Sequence, residues 1–351
     1  MNSMSKKIVA LAALVAASGA YAQSSTVTLF GVMDASIAHL SSDTNDITGL
    51  SSGGLSSSRL GFRGVEDLGG GLKAGFWMEG GIATDNGGSG FKFDRRSTVS
   101  LMGGFGELRL GRDKTPSYLN IETFDPFGDV GVGGVNGANL VGSASSAAGT
   151  PEGSAPKRVS NSVNYLTPKL GGFYGQLQHG FGEKADSNRL ASSTALRVGY
   201  ENGPLNVAAA YGVTRGGKVD QGVNYKAANI GASYKFGDIQ PMVLLATERG
   251  NDRRVDVYLI GAKMKLGAGE LRAAYSQTND KKANDADTQR FAVGYGYNLS
   301  KRTQLYATIS HIKNDRNAKR GFAVSSSSLA NPTIASGDNA TGYEFGVRHT
   351  F

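Results

Sequence analysis

Apolar and polar residues trade places one by one along much of this chain. In the last eleven residues, Thr341–Phe351, the positions Tyr343, Phe345, Val347, His349 and Phe351 share one parity. Gly342, Glu344, Gly346, Arg348 and Thr350 share the other. A β-strand sends alternate side chains to opposite faces, so this segment has one mostly apolar, aromatic face and one small or charged face. The same period returns in Leu205, Val207, Ala209, Tyr211 and Val213, in Ile230, Ala232, Tyr234 and Phe236, and in Phe291, Val293, Tyr295 and Tyr297. Alanine, glycine, asparagine and serine dominate the opposite positions. No stretch sustains a 3.6-residue period for a long helix. The pattern predicts an all-β chain.

The connections between these runs sort by length. Seven are tight, around 68–71, 104–106, 168–171, 201–204, 237–239, 267–269 and 298–302. Eight are generally longer and polar, at roughly 41–56, 83–92, 116–157, 182–188, 215–222, 248–252, 279–287 and 316–339. Fifteen connections join sixteen strands. About 20 residues per strand with its connection leaves room for membrane-spanning strands of roughly 9–11 residues. A soluble array of β-sandwiches would not alternate its connections so regularly, whereas a membrane barrel has short turns at one end and long loops at the other. Inside lipid every backbone N–H and C=O needs a partner within the protein, so strands can span only as a closed cylinder. The expected fold is a 16-stranded antiparallel transmembrane β-barrel. Tyr200, Phe236, Tyr297 and Phe351 stand where the short turns begin, as an interfacial girdle requires.

The N-terminus adds a destination. Lys6 and Lys7 precede an apolar run, Ile8–Ala17, and Ala20-Tyr21-Ala22 stands before Gln23. This is the pattern of a secretory leader over 1–22, with the barrel over 23–351. Glycine is abundant (51 residues) and proline scarce (8), which suits strands with small inward positions and tight turns. Cysteine is absent, excluding disulfides and thiolate metal sites. The net charge of +8 stays positive without Lys6 and Lys7. Export and the lack of a basic run with interleaved aromatics argue against nucleic acid. A pore lining or a lipid-facing rim accounts for the excess instead. His39, His179, His311 and His349 fall on four different strands or strand ends, without metal-ligand spacing. No nucleophile elbow or phosphate-binding loop occurs. Neither an enzyme nor a cofactor is expected.

Six segments then resemble the general diffusion porins of β-proteobacteria. They are SSRLGFRGVEDLGGGLKAGFWMEGG (57–81), FDRRSTVSLMGGFGELRLGRD (93–113), FDPFG (124–128), NYLTPKLGGFYG (164–175), YNLSKRTQLYA (297–307) and the terminal GVRHTF. They follow the family's order along the whole mature chain. The resemblance implies a homotrimer in the outer membrane, in contact with lipid and lipopolysaccharide. Each barrel would be a water-filled channel for passive diffusion of ions and small hydrophilic solutes, with a substrate-specific channel of the same fold as the alternative. The third loop, 116–157, would fold inward as the constriction, with FDPFG at its tip. The terminal Phe351 would serve as the assembly signal.

The resemblance also implies a cluster of arginines on the wall facing that loop, and parity supplies an independent test. With Leu60 and Phe62 outward, Arg59 and Arg63 point in; with Val163 and Tyr165 outward, so does Arg158. Parity turns Arg96 inward and Arg95 outward, while the resemblance favours Arg95. A bulge absorbs a one-residue slip, so both stay candidates. The expected constriction is therefore Arg59, Arg95 or Arg96, and Arg158, opposed by Glu122, Asp125 and Asp129. The arginines and the positive balance predict a preference for anions. Arg112 shares parity with Leu108 and Leu110, on the lipid side, where a charge is costly. It is expected to face another subunit, with Asp85 of the second loop as partner.

Overall fold

The computed structural model describes residues 25–351 except 89, 138–139, 141–155, 184–190, 216–223, 251, 282–283 and 325–328. The expected leader over 1–22 lies outside the described residues. The strands are β1 (Ser25–Ser42), β2 (Asp46–Ser52), β3 (Arg59–Gly69), β4 (Leu72–Gly81), β5 (Arg96–Gly103), β6 (Gly106–Lys114), β7 (Arg158–Leu166), β8 (Phe173–Gly180) and β9 (Ser193–Asn202). They continue as β10 (Leu205–Arg215), β11 (Asn224–Tyr234), β12 (Ile239–Gly250), β13 (Arg253–Leu266), β14 (Gly269–Asp280), β15 (Thr288–Asn298), β16 (Thr303–Asn314) and β17 (Ala340–Thr350). A helix, α1 (Pro116–Phe124), lies between β6 and β7.

Every neighbouring pair is antiparallel, and β1 closes the ring by pairing with β17 from Val32↔Thr350 to Ser42↔Ala340. β2 and β3 lie end to end along β1. β2 pairs with its second half (Ala35↔Ser52 to Ser41↔Asp46) and β3 with its first (Ser25↔Glu66 to Val32↔Arg59). The two count as one interrupted stave, so the barrel has sixteen. Closure leaves no unpaired edge to meet hydrocarbon.

Two of the expected loops are shorter than the polar composition suggested. Residues 46–52 join the sheet, leaving only 43–45 between β1 and β2, and only 251–252 separate β12 from β13. Serine, glycine and charge do not prevent pairing at a strand's watery end, where the backbone ladder supplies the bonds.

Alternation sorts the two faces as predicted. In β17, Tyr343, Phe345 and Val347 are exposed on the outside, while Glu344 between them is 3% exposed on the inside. Phe351 ends this strand with backbone bonds in both directions to Gly31 (3.0 and 3.1 Å). Its ring lies where a Cβ on Gly31 would stand, so only glycine fits beneath it.

On β9–β12 the inner face departs from a simple watery lining. Ala208, Gly231 and Leu244 form a small, apolar bed, and α1 lies on it with Tyr118, Ile121 and Phe124. Thr115 caps the helix, its Oγ1 accepting the Tyr118 N–H, and Pro116 occupies the first turn, where its missing N–H costs nothing. The Asn120 amide donates to Ala208 O and the Asn229 amide to Ser117 O, both at 2.9 Å. The helix lies inside a connection expected to be without structure of its own. Thr-Pro before an aliphatic and aromatic run was its only sequence signal.

Candidate functional site

Beyond α1 the chain turns on one side chain. The Asp125 carboxylate accepts N–H bonds from Phe127 (2.9 Å), Asp129 (2.8 Å) and Val135 (2.9 Å), and the residue is fully buried. Burial holds this carboxyl above the ordinary carboxylate range against the three donors that pull it down. Asp129 is also buried; it accepts from the Gly137 N–H and pairs with the Lys157 ammonium, both at 2.8 Å. Burial likewise raises the Tyr118 phenol, whose ring lies 5.0 Å from that ammonium.

The segment then crosses the barrel on the inner face. Pro126 sits over Gly261 of β13, and Phe127 packs with Ala274 and Ala292 of β14 and β15. The Val132 N–H donates to Glu344 of β17 at 3.2 Å. Gly131 makes a β-bridge with Ala323. The third connection thus spans from the β9–β12 wall to β17.

Between this segment and the β3–β6 wall lies a cavity of about 580 Å³. Seven basic side chains line it (Arg59, Arg95, Arg96, Arg109, Lys114, Lys263 and Arg272), against three acidic ones (Glu79, Asp113 and Glu122). Glu79 organises the arginine side. Its carboxylate accepts from Arg95 Nε at 2.7 Å and from Trp77 Nε1 at 3.2 Å, with Arg59 Nε at 3.9 Å. Arg96 stands directly opposite Glu79 in the β4–β5 ladder, its guanidinium 4.5 Å from the Trp77 ring centre and its Nε 3.9 Å from Asp113.

Both candidates of the arginine pair, Arg95 and Arg96, line the same cavity. Arg96 keeps the inward side of the pleat, opposite Glu79. Arg95 sits one residue before β5, where the entering loop no longer obeys the pleat, and its side chain turns back to Glu79. Arg158 is close by but set back, its Nε donating to Arg95 O at 2.9 Å. Arg63 lies on the inner face, about 5 Å from the rings of Phe30 and Trp77.

The three acids divide. Glu122 lines the cavity and pairs with Lys114 at 2.6 Å. Asp125 and Asp129 do not line it, which corrects the expectation for those two. Residues at a reversing tip have N–H groups to satisfy, and these carboxylates turn into the loop to accept them.

Sequence reasoning missed Glu79, Asp113, Arg109, Lys114, Lys263 and Arg272. Parity was the available signal for Glu79 and Arg109, which alternate with Met78 and with Leu108 and Leu110. Arg109 bridges Glu107 (2.9 Å) and Asp113 (2.6 Å). Arg112 donates to Asp94 O and, at 2.7 Å, to Ser160 Oγ of its own chain, beside the register shift between Gly111 and Asp113. Asp85 is half-buried in the loop 82–95.

The comparisons with known proteins agree with this architecture. The family model described as Gram-negative porin matches residues 10–317. Outer membrane porin protein 32 of Delftia acidovorans is 38% identical, over 99% of this chain and 100% of its own. The anion-selective porin from Comamonas acidovorans superposes with a TM-score of 0.84 at 34% identity, covering 93% of this chain and all of that one. The outer membrane protein OmpT of Vibrio cholerae in its trimer form shares the fold at 18% identity and a TM-score of 0.66, over 93% of this chain and 100% of that one. A closed sixteen-stave cylinder, an apolar outside, a charged cavity within and these relatives lead to one conclusion: the chain belongs to the Gram-negative porin family, as a channel of the outer membrane.

Proposed function

We propose that this porin prefers anions and acts as a homotrimer of independent channels, made from a chain whose leader, 1–22, is removed on export. The observation that carries the anion preference is the seven-to-three excess of basic over acidic side chains around the cavity. Arg59, Arg95 and Arg96 form its positive wall, with Arg158 behind them and Glu122 on the loop side. Opposed charges across a narrow aqueous gap set up a transverse field. That field orients dipolar solutes and hinders apolar ones, while the dominant sign selects among ions. The relative described as anion-selective supports the same direction.

Reconstitution in a planar bilayer under a potassium chloride gradient tests it. The reversal potential is expected on the chloride side. A potential on the potassium side would overturn the reading, and saturation or block by one small solute would replace general diffusion with substrate-specific transport.

The trimer reading places Arg112 and Asp85 at the subunit contact. Arg112→Ala is expected to release monomers on an unboiled gel. Persistence of the trimer would remove Arg112 from the interface. The lipid-facing sides of the trimer would then meet phospholipid and lipopolysaccharide.

A further inference from the structure

The outer face of β11–β14 is layered. Nearest the loops, four cations stand in one lateral row: Lys226 opposite Arg249, Arg249 opposite Arg254, and Lys281 beside Arg254, whose carbonyl accepts the Lys281 N–H. All four are exposed. Two residues further down each strand come Ala228, Thr247, Asp256 and Asn279. Two further still come Ile230, Leu245 and Tyr258, exposed and apolar. At about 3.3 Å rise per residue the layers lie about 7 Å apart.

Such a row is unfavourable by itself, because like charges directly opposite on neighbouring strands repel. Asp256 answers one of them, at 2.8 Å from Arg254. Among the described residues, Lys226, Arg249 and Lys281 make no ion pair. A bound anion would relieve that repulsion. The place of the row says from where it would come. The long-loop end of a porin faces the cell exterior, so the row caps the apolar band at the outer leaflet. β12 lies eight staves round the ring from β4, away from Arg112 and the loop 82–95, on the side that a subunit contact there leaves to lipid.

We propose that this row binds the phosphates of an outer-leaflet lipid whose acyl chains lie on Ile230, Leu245 and Tyr258. Guanidinium grips phosphate through paired N–H bonds, and ammonium acts as a point charge. Four strands at about 4.8 Å spacing make the row about 14 Å long, which matches a lipid with two phosphates better than one. The site rests on the lipopolysaccharide contact proposed above and assigns it to particular residues.

The test is native mass spectrometry of the intact detergent-solubilised porin, titrated with bisphosphorylated lipid A, its monophosphoryl form and inorganic phosphate. The bisphosphorylated lipid should bind tightest, and a hundredfold excess of inorganic phosphate should not displace it. Lys226→Gln/Arg249→Gln/Lys281→Gln should weaken its binding at least tenfold while keeping conductance and heat-dependent gel mobility. If the triple variant does not refold, Arg249→Gln should weaken binding and Arg249→Lys retain it. Equal binding by parent and variant would overturn the site. Displacement by inorganic phosphate would make it a free-anion site and overturn the lipid. No lipid binding by the parent would sink the broader lipopolysaccharide reading as well.

Discussion

Glu79 shows how one carboxylate conditions a cluster of cations. It takes hydrogen bonds from Arg95 and Trp77 and stands 3.9 Å from Arg59, so it holds these groups together while cancelling part of their charge. Glu79→Gln should keep the tryptophan bond and lose the charge-assisted one, at a cost of about 1.5–3 kcal/mol. With one negative charge fewer around the cavity, the chloride-to-potassium permeability ratio should rise in a bilayer recording. The reverse follows for Arg95→Gln/Arg96→Gln, which should move the reversal potential toward zero. An unchanged potential in both variants would mean that this cavity does not control ion choice. The arginines were legible from alternation and resemblance together, but their carboxylate partner was not. A strand pattern gives the face of each residue, whereas the Glu79–Arg96 pairing depends on the register between β4 and β5.

At the scale of elements, the third connection is held by shape on one side and by hydrogen bonds on the other. A Cβ at Gly231 would come within 2.1 Å of the Phe124 ring. Gly231→Ala should therefore push α1 off its bed, with a strain of about 1–3 kcal/mol. Single-channel traces should show new fluctuations in open-channel current, and a steady wild-type current would argue against a tightly docked helix. Asp125→Asn tests the other anchor. The carboxylate uses both oxygens as acceptors, so an amide must turn an N–H toward at least one donor, costing about 1–3 kcal/mol. The same noise is expected, without a large change in ion preference, because Asp125 does not line the cavity. Sequence marked the third connection by its length and its FDPFG turn. It did not reveal that two of the tip's acids serve the turn, since carboxylates for a solute and for a backbone N–H look alike in sequence.

The whole barrel depends on closure, and the C-terminal strand performs it. Phe351 bonds to Gly31 in both directions and covers it, tying the last residue to the first strand. Phe351→Ala should lower the yield of protein whose gel mobility changes on boiling, and normal yield would deny it an assembly role. The charge pattern makes a second prediction at this scale. Screening length falls from about 10 Å at 0.1 M salt to about 3 Å at 1 M, so ion preference should fade across that range. A preference independent of salt would point to direct ion binding instead of a field.

Alternation within strands and the sorting of connections by length together determined that the chain is a sixteen-stave barrel with lipid outside and water within. A period of two is a local property of each strand, and backbone satisfaction in hydrocarbon leaves no other way to use it. Only the tertiary structure decided which charges meet: both arginines at the start of β5, Glu79 among them, Asp125 and Asp129 turned into their loop, and a row of cations across four strands. Those contacts depend on inter-strand register and on where a long connection comes to rest. Both are set by parts of the chain far apart in sequence.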